Sequence, residues 1–292
     1  MLTILKHIYR HPLNREHRFA GVLRFIRWQI ANRIMPVPMI VPYVNNSCLV
    51  MERGMTGATG NFYTGLDELS DMTFLLHFLR EEDLFCDVGA NIGSYSVLAS
   101  AVVGAHTFSF EPIPTTFDRL KRNVEMNRIG GLVALQNIGI GSRNESLKFI
   151  FETDSTNHVA SEKEISQGNV IELPVRRLDE VLDGKSPSLI KIDVEGWEPE
   201  ALAGMPETLA NPTLKAIIIE TNELELRYSN QERKSVSDVM DQFGFTAHIY
   251  DPFSRTLIEG RTLHNTIYVR DSEFVKERVQ NAPRFSLING SI

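Results

Sequence analysis

The chain has 292 residues, of which 42% are hydrophobic and 23% are charged, and its formal net charge is −7. This length and composition exclude a disordered chain and suffice for one large α/β core with a terminal extension. The two cysteines, Cys48 and Cys86, are too far apart for a metal knuckle or a disulfide framework. That spacing favours a reducing compartment.

The amino-terminal 53 residues are basic, whereas the rest of the chain is acidic. They contain eight Lys and Arg against two Glu, a balance of +6, so the remainder carries −13. The acidic remainder argues against a nucleic-acid partner, although the basic segment could contact an anionic membrane surface. The interpretation that we favour for this segment is a solvated helix docked on the main domain. Its docking side chains would be Phe19, Leu23, Phe25, Ile26 and Ile30.

No apolar run reaches the roughly 18 residues that a membrane-spanning helix needs. The opening stretch MLTILKHIYRHP also lacks the apolar core and the cleavage site of a secretory signal. We therefore expect a cytoplasmic protein, with the inner membrane face as an alternative location. The expected domains are a basic extension over residues 1–60, a main domain over 61–275 and a carboxyl-terminal tail over 276–292.

From residue 84 onward, apolar runs alternate with amphipathic stretches, which is typical of a parallel, doubly wound sheet. The pattern predicts strands over 84–88, 107–110, 133–138, 189–194, 216–220, 246–249 and 265–269, and helices near 92–103, 115–127, 199–203 and 234–243. Two alternating stretches, 146–152 and 170–175, predict a hairpin around a polar excursion. The glycine-rich segment 55–79 is expected to cover the binding crevice.

The turn CDVGANIG, residues 86–93, follows the first predicted strand and opens a helix. Its spacing, Asp87-x-Gly89-x-x-x-Gly93, is looser than a dinucleotide turn and contains no P-loop lysine. A carboxylate at this point repels phosphates and attracts an ammonium group, and glycines permit a ligand to approach the backbone closely. The predicted ligand is S-adenosylmethionine, with its ammonium at Asp87 and its carboxylate at backbone N–H groups near Asn91–Gly93.

A second acid supports a nucleoside ligand. Glu111 ends the predicted strand HTFSFEP, 22 residues beyond Gly89. An acid at this position accepts hydrogen bonds from the two ribose hydroxyls of a bound nucleoside. The competing interpretation makes Glu111 an exposed loop carboxylate, but the combination of turn and acid favours the nucleoside.

The stretch LIKIDVEGWEPEALAGM supplies the candidate catalytic residues Asp193 and Glu195 at the end of a buried strand. Period-two geometry places both side chains on one face, near the transferred methyl or the acceptor hydroxyl. The alternative makes Asp193 a capping residue and Glu195 a solvated neighbour. His158 is a further candidate base, and Glu220 and Asn222 could bind acceptor hydroxyls. Two carboxylates without an evident third oxygen ligand make a poor magnesium site, so the prediction is a metal-independent reaction.

Three stretches together resemble the FkbM family of S-adenosylmethionine-dependent methyltransferases: FCDVGANIGSYSVLAS, FSFEPIPTTFDRLKRNVEMN and LIKIDVEGWEPEALAGM. The resemblance runs from about Phe62 to Val269. It implies an α/β class I methyltransferase (Rossmann-like) fold, with a seven-stranded, mostly parallel sheet whose last strand is antiparallel, preceded here by a helical or β extension. It also implies a cofactor lined by Asp87, Gly89, Ala90, Asn91, Gly93, Glu111 and Pro112, with Asn137 near the adenine and Asp193 beside the methyl group.

The activity that the resemblance implies is methylation of a hydroxyl in a sugar, a glycan or glycolipid precursor, or a natural product. A non-catalytic module that binds the cofactor or docks at a membrane is the main alternative. A weaker alternative is an RNA or protein methyltransferase. The segments expected to select the acceptor are 55–69 and 154–167, because such loops vary freely on a shared scaffold.

Overall fold

The protein is described by a computed structural model that covers residues 2–150, 158–160, 170–220, 235–262 and 264–292. Its strands are β1 (Met39–Pro42), β2 (Cys48–Met51), β3 (Leu84–Val88), β4 (His106–Phe110), β5 (Val133–Gln136), β6 (Gly139–Ile140), β7 (Glu145–Ile150), β8 (His158–Val159), β9 (Val170–Arg176), β10 (Leu189–Ile192), β11 (Ala216–Glu220), β12 (Thr246–Asp251), β13 (Thr256–Glu259), β14 (Asn265–Val269), β15 (Ser286–Leu287) and β16 (Gly290–Ser291).

The α-helices in the same ranges are α1 (Leu2–Arg10), α2 (Arg18–Ile34), α3 (Thr56–Thr64), α4 (Leu69–Phe78), α5 (Ser94–Val97), α6 (Pro114–Met126), α7 (Leu178–Leu182), α8 (Glu198–Ala203), α9 (Pro206–Ala210), α10 (Val236–Gln242) and α11 (Ser272–Gln280). A 3₁₀ helix spans Pro12–Asn14, and a π-helical segment, Leu98–Val103, continues α5. Among these described helices, none has the length and apolar character required to traverse a bilayer.

The main sheet has eight strands in the order β13-β12-β14-β11-β10-β3-β4-β5. Neighbours from β5 to β11 run parallel, while β14 is antiparallel to both β11 and β12. This arrangement confirms the predicted α/β fold with its antiparallel last strand. The predicted count of seven strands is wrong, because Thr256–Glu259 folds back on β12 as an extra antiparallel edge strand.

Successive residues of the central strands contribute to apolar layers on opposite faces of the sheet. Leu189 packs in one layer and Ile190 in the other, and Ile218 and Ile219 alternate in the same way. All four residues of β10 are buried. Strands buried on both faces lack polar alternation, which explains why their sequences form continuous apolar runs.

A second, four-stranded sheet with the order β6-β9-β7-β8 is formed by the part of the chain between β5 and β10. Strands β7 and β9 pair antiparallel over six residues, which confirms the predicted hairpin. Strand β8 places His158 opposite Ile150. The predicted acceptor segment 154–167 lies outside the described residues except for 158–160.

Helices α1 and α2 form a hairpin that packs on α3. The prediction of how α2 docks is wrong for four of its five side chains. Phe19, Leu23, Ile26 and Ile30 are exposed, whereas Phe25 and Trp28 are buried. The ring of Phe25 lies 5.3 Å from that of Tyr63 in α3. The sequence shows both apolar faces of α2, and only packing determines which one is buried.

The carboxyl-terminal residues also contribute to the core. After α11, strands β15 and β16 pair as a short hairpin, and Leu287 forms a bridge with Val44. Phe285 and Ile292 are both buried in the apolar layer that contains α4 and the amino-terminal strands. Residues 276–292 are therefore packed against the rest of the chain.

We predict that Gly89→Ala costs more stability than the matched change Gly184→Ala. The two glycines have φ values of +81° and +80°, but a Cβ at Gly89 would lie 1.8 Å from the carbonyl oxygen of Asp193, whereas one at Gly184 has nothing within 4 Å. Left-handed backbone costs Ala about 1 kcal/mol, and the clash should bring the cost at Gly89 to at least about 3 kcal/mol. Urea unfolding followed by circular dichroism measures both; equal losses would contradict the packing argument.

Candidate active site

A crevice of about 360 Å³ lies at the carboxyl ends of β3, β4 and β10. In an open α/β sheet, this is where ligands bind. The predicted site residues that line it are Asp87, Gly89, Ala90, Asn91, Glu111, Pro112, His158, Asp193, Glu195 and Glu220. Residues of α3 also line it, so the segment predicted to cover the crevice does lie against it. Gly93 and Asn137 are not among the lining residues.

The glycines of the turn serve packing between protein groups. Gly89 touches the carbonyl oxygen of Asp193, and a Cβ on Gly93 would lie 2.4 Å from Leu120 in α6. Both have φ values in the left-handed region. Contacts within the protein thus account for both glycines, and the predicted close approach of a ligand to them stays a prediction.

Backbone N–H groups of the turn already donate within the protein. Those of Gly89 and Ala90 both reach the carbonyl oxygen of Phe110, and that of Gly93 reaches Ala90. The N–H of Asn91 donates to Glu111 at 3.0 Å. The N–H groups of Asn91 and Gly93 thus shape the turn, and the contact of the cofactor carboxylate with N–H groups near Asn91–Gly93 stays a prediction.

Glu111 is buried in the crevice wall, with 6% of its surface exposed. Its two carboxylate oxygens accept hydrogen bonds from the backbone N–H groups of Asn91 and Ile113 at 3.0 and 2.9 Å. Burial raises the pKa of Glu111 to about 7, against the lowering effect of these two bonds. The alternative of an exposed loop carboxylate is wrong. Each fixed oxygen retains capacity for a second hydrogen bond, so the group can accept from two hydroxyls.

Asn137 supports this turn from behind. Its side-chain amide donates to the carbonyl oxygens of Glu111 and Pro112 at 2.8 and 2.9 Å. Asn137 does not line the crevice, whereas its neighbour Ile138 does, and the expected position of Asn137 near the adenine stays a prediction.

Lys191 is a site residue that sequence reasoning missed. It is 3% exposed, in the middle of β10, and its ammonium donates to Asp193 at 2.6 Å. The same nitrogen lies 4.7 Å from the ring centre of Tyr95. Burial alone would lower the pKa of Lys191, but the charges of Asp193, Glu68 and Asp87 raise it above the usual value. A lysine inside the apolar run LIKI was the available signal, because a buried charge requires partners.

Asp87 lies beside Lys191 in the sheet, since the two residues are register partners on adjacent parallel strands. Asp87 is 1% exposed and accepts a 2.6 Å hydrogen bond from Ser96, whose hydroxyl is 2.7 Å from that of Ser109. Burial raises the pKa of Asp87 to about 6, although Lys191 and Ser96 oppose the rise. A cation entering the crevice would stabilise the ionised form of this carboxyl.

Asp193 and Glu220 form a coupled pair of carboxyls. Burial raises the pKa of Glu220, and the neighbouring charge of Asp193 raises it further. Burial acts in the same direction on Asp193, but the charge and hydrogen bond of Lys191, together with a hydrogen bond to Glu220, bring its pKa below the ordinary value. These opposite shifts favour a proton on Glu220 over one on Asp193.

Oxygens of Asp193, Glu195 and Glu220 lie within 4.8 Å of one another, close enough to hold a divalent cation. The sequence favoured a metal-independent reaction because no third oxygen ligand was evident. Glu220 supplies that third oxygen, so this ground for the prediction no longer holds.

The turn after β10 is stabilised by Glu198, another residue that the sequence analysis missed. Its carboxylate accepts the backbone N–H groups of Val194 and Gly196 at 3.1 and 3.2 Å. β10 ends at Ile192, and Glu195 has a left-handed φ of +55°. The predicted proximity of Asp193 and Glu195 is present, but it arises from this turn and not from the predicted period-two strand.

A polar wall on the α4 side was also missed. Tyr95 donates to Glu68 at 2.8 Å, and the amide of Asn265 donates to Glu68 and Asp71, each at 3.0 Å. Burial and the charge of Glu68 raise the pKa of Asp71 to about 7. The remaining predicted residue, Asn222, lies outside the described residues.

A family model, the methyltransferase FkbM domain, matches residues 87–247 of this chain. The match covers more than half of the chain and contains the turn, Glu111, Lys191, Asp193 and Glu220. The chain belongs to the FkbM methyltransferase family. The resemblance on which the fold prediction depended is thereby confirmed.

Three named relatives show the range of this similarity. The hexuronic acid methyltransferase AglP of Haloferax volcanii is 32% identical over 148 residues, which cover 50% of this chain and 59% of AglP. The 31-O-demethyl-FK506 methyltransferase FkbM of Streptomyces tacrolimicus is 27% identical over 191 residues, covering 53% and 72%. Methyltransferase 1 of Beauveria bassiana is 26% identical over 195 residues, covering 59% and 76%. The match thus spans less than two thirds of AglP.

We predict that Lys191→Met destabilises this FkbM-family protein by about 3–5 kcal/mol at pH 8, because the buried Asp87 and the half-buried Asp193 lose their compensating cation. In the variant their pKa values rise above the unfolded value of 3.8, so its stability falls as pH increases. The loss should therefore be smaller at pH 5, where the carboxyls can protonate.

The matched control is Lys215→Met, which breaks the more exposed Lys215–Asp271 pair on the neighbouring strand. It should cost less than about 1 kcal/mol at either pH. Urea unfolding at pH 5 and 8 measures both variants. Equal, pH-independent losses would show that Lys191 does not hold the charges of its neighbours.

Proposed function

We propose that the protein is an S-adenosylmethionine-dependent methyltransferase that methylates a hydroxyl of a sugar, a glycan or glycolipid precursor, or a natural product. Membership of the FkbM family supports methyl transfer. The observation that carries the cofactor assignment is the buried Glu111 carboxylate, fixed by two backbone N–H groups at the crevice wall. The location that we propose is the cytoplasm, with the inner membrane face as an alternative.

In this proposal Glu111 accepts hydrogen bonds from the ribose hydroxyls. Ile113 and Ile138 would hold the adenine and Asp87 would hold the ammonium, since all three residues line the crevice. Because the N–H groups of Asn91 and Gly93 donate within the protein, we assign the cofactor carboxylate to the side of the crevice where α3 meets Ser94. Asn61 of α3 joins this side, with its amide 3.5 Å from the Ser94 hydroxyl.

The cofactor, when bound, supplies an electrophilic methyl group on a sulfonium sulfur. Asp193 accepts the proton of the acceptor hydroxyl, because Lys191 keeps this carboxylate ionised at neutral pH. Glu195 and His158 line the same crevice and orient the acceptor. Alignment of reacting groups can contribute roughly 7–11 kcal/mol, and a positioned base adds about 10²–10⁴-fold. The rigid turn around Asp193 thus serves both effects.

The charges of the acceptor side favour a neutral acceptor. Asp193, Glu195 and Glu220 surround this side with carboxyl groups, and the one buried cation among the described lining residues, Lys191, is already paired. A carboxylate on the acceptor would meet like charges there. We therefore infer a neutral sugar or polyol, although the relative AglP is named for a hexuronic acid.

We predict that Glu111→Gln weakens binding of S-adenosylmethionine about 10–100-fold, because a neutral amide replaces a charged acceptor of two hydroxyl hydrogen bonds. The wild-type affinity should increase several-fold between pH 6 and pH 8 as Glu111, with its pKa of about 7, ionises. The variant should lose most of this dependence. Calorimetry at both pH values measures the affinities.

The matched control is Glu125→Gln, since this exposed glutamate lies on the outer surface of α6 and should leave the affinity unchanged. Tight uptake of a nicotinamide or adenine nucleotide, with none of the methyl donor or its demethylated product, would overturn the cofactor assignment.

We predict that a neutral glycoside accepts the methyl group at least about tenfold faster, in kcat/KM, than the uronic acid of the same sugar, because each like charge near the site costs on the order of 1 kcal/mol or more. Transfer of labelled methyl to the two acceptors measures this ratio. Faster transfer to the uronic acid would contradict the charge argument. Label found only in protein or RNA would support those acceptors, and no transfer with cofactor bound would favour a non-catalytic module.

A further inference from the structure

The exposed apolar side chains are concentrated at the amino terminus. Of the fourteen large apolar side chains that are exposed among the described residues, eleven lie between residues 2 and 40. Phe19 is 80% exposed and Ile34 is 76% exposed. Isolated exposed apolar residues are ordinary, but a contiguous patch of this kind marks an interaction surface.

Helix α2 presents two opposite apolar faces. Its inner face, with Gly21, Phe25 and Trp28, is buried. Its outward face consists of Phe19, Leu23, Ile26, Ile30 and Ile34, all exposed and spaced by three or four residues. At 100° per residue the centres of the two faces lie about 180° apart. One face therefore docks the helix on the domain while the other remains uncovered.

The hairpin of α1 and α2 is fixed to the domain. Asn14 donates to the carbonyl oxygens of Ile8 and Tyr63 at 2.9 and 3.1 Å, and its own oxygen accepts from Asn289 at 2.9 Å. His7 lies 2.8 Å from Asp67. The outward face consequently has a set orientation relative to the crevice.

Positive charges flank the outward face. Residues 2–35 contain six exposed cations, Lys6, Arg10, Arg15, Arg18, Arg27 and Arg33, against one exposed acid, Glu16. Arg27 and Arg33 lie about 60° to either side of the centre of the outward face. At its amino-terminal end, Phe19 packs edge-on against Tyr9, and Arg18 lies 5.0 Å from the Tyr9 ring centre.

We propose that the outward face docks this protein on the surface of a lipid bilayer that carries anionic headgroups. Apolar side chains flanked by cations and exposed aromatic rings are the arrangement by which amphipathic helices lie in the membrane interface. A second copy of the chain fits this face poorly, because a symmetric contact would bring the same arginines together.

The hairpin that carries the outward face borders a cavity next to the crevice. A cavity of about 580 Å³ lies between the hairpin and α3, with Ile8, Phe25, Trp28 and Tyr63 among its lining residues. Thr56 and Asp67 line both this cavity and the crevice.

The test is sedimentation of the full-length protein with phosphatidylcholine vesicles, with and without phosphatidylglycerol. Binding should be at least about tenfold tighter when phosphatidylglycerol is present and should weaken as salt is added. The double change Arg27→Gln with Arg33→Gln should weaken binding about 30-fold, since each surface cation contributes about fivefold. Phe19→Ser with Ile30→Ser should weaken binding at least tenfold, both to vesicles with phosphatidylglycerol and to those without it wherever the wild type binds them.

The matched control is Phe253→Ser with Ile258→Ser, which removes exposed apolar side chains of similar exposure far along the chain, near β13. It should bind vesicles as the wild type does. Circular dichroism and cofactor calorimetry report whether each variant is folded. Sedimentation measures vesicle binding without any methyl transfer. The docking proposal can therefore be tested even if the proposed function is wrong.

Two kinds of result would overturn the docking proposal. One is a vesicle result: either phosphatidylglycerol does not strengthen binding of the wild type, or Phe253→Ser with Ile258→Ser weakens binding as much as Phe19→Ser with Ile30→Ser does. The other is a wild-type dimer on size exclusion that Phe19→Ser with Ile30→Ser converts to a monomer, which would identify a second copy as the occupant.

Discussion

The structure of the site depends on one buried cation. Removing an ammonium from water costs several kcal/mol, so Lys191 can occupy the middle of the sheet only among acids that compensate it. Asp193 provides the direct contact at 2.6 Å, and Asp87 lies at the same register position on the adjacent strand. The lysine thereby favours the ionised forms of both carboxyls, of which Asp87 is buried and Asp193 is half-buried. Both proposed roles, cofactor binding and proton acceptance, require that ionisation.

The second constraint is the contact between two turns. Gly89 of the turn after β3 lies directly against the carbonyl oxygen of Asp193 in the turn after β10. Glu111 and Glu198 each accept backbone N–H groups that hold these turns in shape. Because the turns touch, the cofactor side and the acceptor side of the crevice form one unit. A change on one side therefore displaces the other, which is how a preorganised site loses its alignment.

The amino-terminal helices extend this scaffold with a second, chemically different surface. The main domain is acidic and offers carboxyl groups to its ligands, whereas residues 2–35 are basic and apolar on their outer side. This separation of charge would let the proposed cofactor and the proposed anionic surface bind at different places without competition.

The sequence by itself determined the α/β fold, the boundaries of the central strands to within one or two residues, and the group of acids around the turn. Those features follow from local periodicity, turn residues and offsets along the chain, which are visible in one dimension. Tertiary structure alone decided which apolar face of α2 is buried, that Asn137 supports a turn, and that Lys191 and Glu220 join Asp87 and Asp193. These outcomes depend on strand register and on competition between possible partners, and neither is encoded within a short stretch of sequence.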